Sequence, residues 1–312
     1  MSGPFILIPL AVTDSMLTSS SIAEPAATET AWNPATSYTV GALVILISTH
    51  RVYQNLVAGV NAMSPDANQG QTPAIWLDIG PTQKWAAFDT RIDTQSKNPT
   101  SLTYVIRPGL FNSIAFYGLS GATLTVSIKD QVGGTVFYST STALQAPPID
   151  YYDYYFGQIK PLTKVFLKNI LPYSDPELTI TISASAGVPV AVGMIAIGNL
   201  TTLMTNPDTG GTQYGAKAKP ITYSYINTDK YGTSSIVRRG SATDLDIRVH
   251  VAQTDADAAL LIIQRVLDQP VAVIASDIAT YSGLNVFGLI SGDVSYDGPN
   301  HAFLSMQVKG LI

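Results

Sequence analysis

Short runs of alternating or continuous apolar residues, each ended by Gly, Pro, Asn or Ser, recur along most of this chain. Runs of that length and punctuation predict β-strands. Between residues 83 and 195 they are "TSLTYVIRPG", "NSIAFYGLSGATLTVSIKD", "TVFYSTS", "VFLKNILP" and "ELTITISAS". Further on, "DLDIRVHVAQ" places Leu245, Ile247, Val249 and Val251 on one face of a strand over 245–252. One segment departs from this pattern. "TDADAALLIIQRVLDQP" predicts a helix over 255–268, with Thr254 as N-cap and Asp257 three residues later in the capping-box position. Asp255 and Asp257 suit the positive end of its dipole, and Pro270 stops it. Strands are expected again at 271–276, 284–297 and 301–312, the last two forming a hairpin.

The pattern predicts a mainly β, multidomain chain in four parts. Residues 1–30 form an N-terminal strand or arm, and residues 31–82 a compact module bracketed by Trp32 and Trp76. Residues 83–195 read as a β-sandwich interrupted by the aromatic loop "APPIDYYDYYFGQIKP". Residues 196–312 read as an α+β unit with one helix.

Composition changes this picture in one respect. The 312 residues are 46% hydrophobic but only 12% charged, against a usual charged share of about 25%. A surface so poor in charge suits a subunit that buries much of itself against neighbours, although charge-poor secreted β proteins share the trait. The net charge is −5 and no basic cluster along the sequence exceeds the pair Arg238-Arg239. A stripe that tracks phosphates is therefore not expected. The absence of cysteine excludes disulfides, thiolate metal sites and cysteine nucleophiles, and favours folding in a reducing cytosol. The opening apolar run is short and lacks a basic flank, so neither a signal peptide nor a membrane span is expected there.

Little in the sequence points to catalysis. His50, His250 and His301 lie in unrelated contexts without metal-ligand spacing, and there is no GxSxG or P-loop. Asp150, Asp153, Asp175 and Glu177 surround the aromatic loop, yet no motif marks a catalytic pair. The reading is of a protein that is not an enzyme, with no catalytic residue, metal or cofactor.

The aromatics are the remaining candidates. Trp32, Tyr38, Tyr53 and Trp76 could stack on sugar faces. Alternatively Tyr38 and Tyr53 fill a small core, leaving Trp32 and Trp76 as the ligand-facing pair. Tyr151, Tyr152, Tyr154 and Tyr155 offer rigid amphipathic area of the kind used at interfaces, either for recognition or against a neighbouring subunit.

Two resemblances follow from these residues. Trp32, Tyr38, Gly41 and Val44, then Tyr53 in "HRVYQNL" and Trp76, resemble the small three-stranded carbohydrate-binding modules of the chitin-binding type. Over nearly the whole chain, the order of "VTDSMLTSSSIAE", this module, "WLDIGPTQKWAAFDTRIDTQS" and "VIRPGLFNSIAFYGLSGATLTVSI" resembles a family of tailed-bacteriophage virion proteins. The family's junction element matches Trp85, Phe88 and Asp89, and its C-terminal strands match Tyr231-Gly232 and "RRGSATDLDIRV". The resemblance implies a distal-tail-like subunit of a tail tip or baseplate, with a tail-tube-like C-terminal unit. Such a subunit would form a ring of three or six copies around the tail axis, beside tail-tube, hub and receptor-binding fibre proteins. DNA would be passing cargo only, no membrane would be entered, and the protein would be made in the host cytoplasm and carried in the virion. The alternative expectation is a carbohydrate-binding protein that recognises host surface polysaccharide through its N-terminal module.

Overall fold

The computed structural model describes residues 4–146, 148, 150–158, 160–204, 210–276 and 279–311. The chain is mainly β, with a curled antiparallel sheet and one main helix. That sheet holds ten of the described strands. From one edge its path runs through Lys164–Leu167, Ser113–Tyr117, Met194–Thr202, Phe5–Pro9, Val271–Ile274, Asn285–Ser295, His301–Gly310, Ser241–Ala252 and Gly211–Thr212, and Lys217–Thr222 also pairs with Ser241–Ala252.

The apolar run at the N-terminus is a central strand and not a free arm. Phe5–Pro9 pairs antiparallel with Gly198–Thr202 on one side and with Ala272–Ile274 on the other. Ile6 and Leu7 are fully buried, one on each face. The division expected at 195/196 falls inside the strand Met194–Thr202, which is hydrogen-bonded on both sides. A strand so paired ties together the segments it was expected to separate.

One face of the large sheet is covered by two different layers. Toward one end, a five-stranded sheet packs on it: Tyr104, Ile106, Val126 and Ile180 meet Ile114, Phe116, Ile195 and Ile197 in one core. Toward the other end lies the helix Gln253–Arg265, whose Ala256, Ala259 and Ile263 pack on Val249, Val273, Ile290 and Leu304. The opposite face curls inward around Leu7, Tyr117, Ala272, Ile274 and Phe287.

The helix begins and ends earlier than its sequence suggests. Its N-cap is Ala252, which offers no side-chain cap, so the expected Thr254–Asp257 capping box does not form. Ser241–Ala252 instead runs directly into the helix. Small Ala256 and Ala259 allow the helix close to the sheet, and Leu260 is only partly buried. The closing strands form the expected hairpin, with Gly288 to Ser295 in register with Gly310 to Phe303.

Candidate functional site

Residues 31–82 contain a separate three-stranded sheet of Leu43–Leu46, Arg51–Asn55 and Trp76–Pro81. Its core is made of the residues expected to bind sugar. Tyr38, Tyr53 and Trp76 are all buried, packed with Val44, and Trp76 is only 2% exposed. Tyr38 meets Trp76 edge to face at 5.4 Å. The Tyr38 hydroxyl accepts from the Asn33 amide at 2.8 Å. The buried Asn55 amide donates to the carbonyls of Thr39 and Val57 at 3.0 and 2.8 Å. A core this small needs large rings to bury enough apolar surface. The four aromatics therefore do not form a stacking platform, and Trp32, half-buried against this core, is the least covered of them. The outer face of the little sheet is aliphatic instead. Leu43, Gln54 and Leu77 lie in register across it, and Leu43, Leu77 and Ile79 are exposed.

A polar joint fastens this module to the rest of the molecule. The buried Glu24 carboxylate accepts from Thr82 Oγ1 at 2.7 Å and from Trp85 Nε1 at 3.2 Å. His50 Nδ1 lies 3.0 Å from it, and Lys84 Nζ 3.8 Å away. His50 also stacks on Trp85 at 4.4 Å, and Asp14 stands 3.7 Å from its other ring nitrogen. Trp85 then meets Phe88, and Phe88 meets Tyr104, both edge to face. Trp85 and Phe88 of the junction element thus carry the aromatic chain from His50 to Tyr104, in the core between the two sheets. Asp89 accepts from Thr94 Oγ1 at 2.7 Å, and burial pushes its carboxyl above the usual range.

The tyrosine run forms a short helix, Tyr151–Phe156, capped by the Asp150 carboxylate, which accepts from the Asp153 amide at 2.7 Å. None of its residues is buried, and Tyr151 is 87% exposed. Five rings stand together in solvent on the connection between two sheet edges, Val136–Ala143 and Lys164–Leu167. The acids nearby are spent on structure. Asp150 caps, Asp153 lies 3.4 Å from Lys160, Asp175 pairs with Arg107, and Glu177 pairs with Lys129 at 2.6 Å.

Residues 211–252 show a feature that linear spacing hid. Lys217–Thr222 and Ser241–Ala252 pair, and beyond them Tyr225–Thr228 and Ser234–Val237 continue as a two-stranded ribbon. Residues 215–240 carry Lys217, Lys219, Lys230, Arg238 and Arg239, with Asp229 as the one acid. Lys217 and Lys219 face Asp246 and Asp244 in register. Arg239 stacks on Tyr225 at 5.0 Å and Lys230 on Tyr231 at 5.0 Å.

On the sheet face away from the helix, His250 and His301 stack at 5.5 Å and Arg248 sits 4.1 Å from the Phe303 ring. Among the described residues no group of three or more His, Cys, Asp or Glu is arranged to hold a metal ion. Nor is any helix among them long and apolar enough to cross a membrane. Compared with protein-family models, with curated proteins and with solved structures, the chain matches none.

Proposed function

We propose that this chain is a structural subunit of a phage tail tip or baseplate, assembled as a ring around the tail axis. The observation that carries the reading is the set of surfaces left without a partner on an otherwise well-packed chain. They are the ribbon of Tyr225–Thr228 and Ser234–Val237, the aromatic helix Tyr151–Phe156, and the aliphatic face at Leu43, Leu77 and Ile79. Three separate exposed apolar surfaces on one chain fit a protein that meets several neighbours. The low share of charged residues agrees with this.

In this reading the C-terminal strands and helix form the tail-tube-like ring unit, with the polar face at Asp246, Arg248, Asp293 and Gln307 turned to a channel through which DNA passes. The sandwich and the three-stranded, carbohydrate-binding-like module project outward. There they would hold hub and receptor-binding fibre proteins. The burial of Tyr38, Tyr53 and Trp76 makes the module an attachment block in this account, because its free face is aliphatic. The role is mechanical, and no covalent step is assigned. Immunogold labelling of virions carrying this protein tests it: gold at the distal end of the tail is expected, and gold absent from the particles would remove the reading.

A further inference from the structure

The strand His301–Gly310 stops short of the end of its neighbour, Asn285–Ser295. Their pairing ends at Gly310 and Gly288, and the Leu311 amide donates once more, to the Phe287 carbonyl at 3.1 Å. The Asn285 carbonyl lies past that end and accepts from Lys164 Nζ instead, at 2.8 Å.

Lys164 and Tyr117 are direct partners on neighbouring strands, so their side chains share the concave face of the sheet. Opposite them come Phe287, Leu311 and residues 241–243. A cleft of about 380 Å³ lies between, within the range of about 300–1,000 Å³ that small-molecule sites occupy. Phe287 sets its ring at 47° to that of Tyr117, 5.9 Å away, and Ile92 and Leu311 add apolar wall.

The polar groups of this cleft are out of balance. Among the described residues, the half-buried Lys164 ammonium has its one backbone acceptor and no ion-pair partner. The Tyr117 hydroxyl belongs to a residue only 2% exposed and has no hydrogen-bond partner among them. Asp93 also lines the cleft, but its two oxygens accept from Arg91 Nε and Nη2 at 3.1 and 3.0 Å. Donors shielded from water without acceptors cost free energy, and a shielded cation without a counter-charge costs more. One carboxylate supplies acceptors to both donors and the missing negative charge. A dianion fits less well, because a single cation faces it and Asp93 stands by.

We propose that this cleft binds a small monocarboxylate with an apolar body, its carboxylate on Lys164 Nζ and the Tyr117 hydroxyl and its body against Phe287 and Leu311. The site lies within one copy of the chain and does not depend on the ring. A ligand there would tie the edge strand Lys164–Leu167 to the far side of the curl, so it would stabilise the folded chain.

Benzoate and hexanoate are the probes, with benzyl alcohol, hexanol and inorganic phosphate as controls. Calorimetric titration and thermal melts at neutral pH should show saturable binding and a raised Tm with at least one carboxylate and with none of the controls. Lys164→Met should weaken that binding by about tenfold or more, the worth of one charge-assisted hydrogen bond, and Tyr117→Phe by less. A readout on the unmutated protein guards against variants that fold poorly. The bound carboxylate should slow acetylation of Lys164 several-fold, read by peptide mass mapping, and leave exposed Lys97 unchanged. No saturable binding of either carboxylate would overturn the proposal. So would equal binding of a carboxylate and its alcohol, or binding that leaves Lys164 acetylation unaltered.

Discussion

The Lys164 ammonium donates to the Asn285 carbonyl at 2.8 Å. Lys164 begins an edge strand of the large sheet, and Asn285 begins a strand with four others between them in sheet order. This one contact therefore spans the curl, and the burial around Tyr117, Ala272 and Phe287 lies inside it.

Burial holds the Lys164 ammonium below the usual lysine value, so the folded chain releases its proton before the unfolded chain does. Below the folded pKa both states are protonated and the desolvation cost is present in full. Between the folded and unfolded values only the unfolded state keeps the proton, so the Lys164 contribution becomes more favourable as pH rises. Denaturant titrations at about pH 8 and about pH 10 should show wild type gaining stability relative to Lys164→Met. The comparison cancels the tyrosines, whose raised pKa values act in the opposite sense at Tyr104 and Tyr117.

The joint at Glu24 should behave as a buried polar network. Glu24→Ala strands the Trp85 indole N–H and the Thr82 hydroxyl, and it removes the carboxylate beside His50. A loss of about 3 kcal/mol is expected from such a removal. Chemical denaturation followed by tryptophan fluorescence measures it, since Trp85 itself reports on the joint.

Trp76 is a core residue of the small module, so Trp76→Ala should destabilise that module by about 3–5 kcal/mol. Limited proteolysis should then cut first within residues 31–82, whereas Trp32→Ala should leave the module resistant. Immobilised-glycan binding that is strong in wild type and lost in a folded Trp32→Ala protein would reinstate the sugar platform.

The helix has a definite inner face. Ile263→Asp places a charge against Val249 and Leu304 in the core and should abolish soluble folding. Leu261→Ser, on the exposed side, should change stability by no more than about 0.5 kcal/mol. Thermal melts and soluble yield separate the two. A folded Ile263→Asp protein would show that the helix is not packed on the sheet as described.

How much of this was legible depended on whether the determining contacts are local. Strand propensity and turn residues are local, so the β character, the closing hairpin and the helix were readable. The helix face was not. "AALLII" is apolar on every side, and the inner positions were chosen by the small size of Ala256 and Ala259, which lets backbone approach backbone. The place of "FILIP" was hidden because both of its partners, Gly198–Thr202 and Ala272–Ile274, lie far away in sequence. Tyr38, Tyr53 and Trp76 announced a small aromatic module, but sequence spacing does not say whether a ring points in or out. Pairing also set Lys217 and Lys219 opposite Asp246 and Asp244, which spacing along the chain does not reveal.

The central claim is that copies of this chain assemble in a closed ring, and native mass combined with negative-stain class averages of the same sample tests it most directly. The account predicts a discrete species of three or six copies with a visible central opening. A protein that sediments as a single monomer up to millimolar concentration, with no rings in the images, would contradict it.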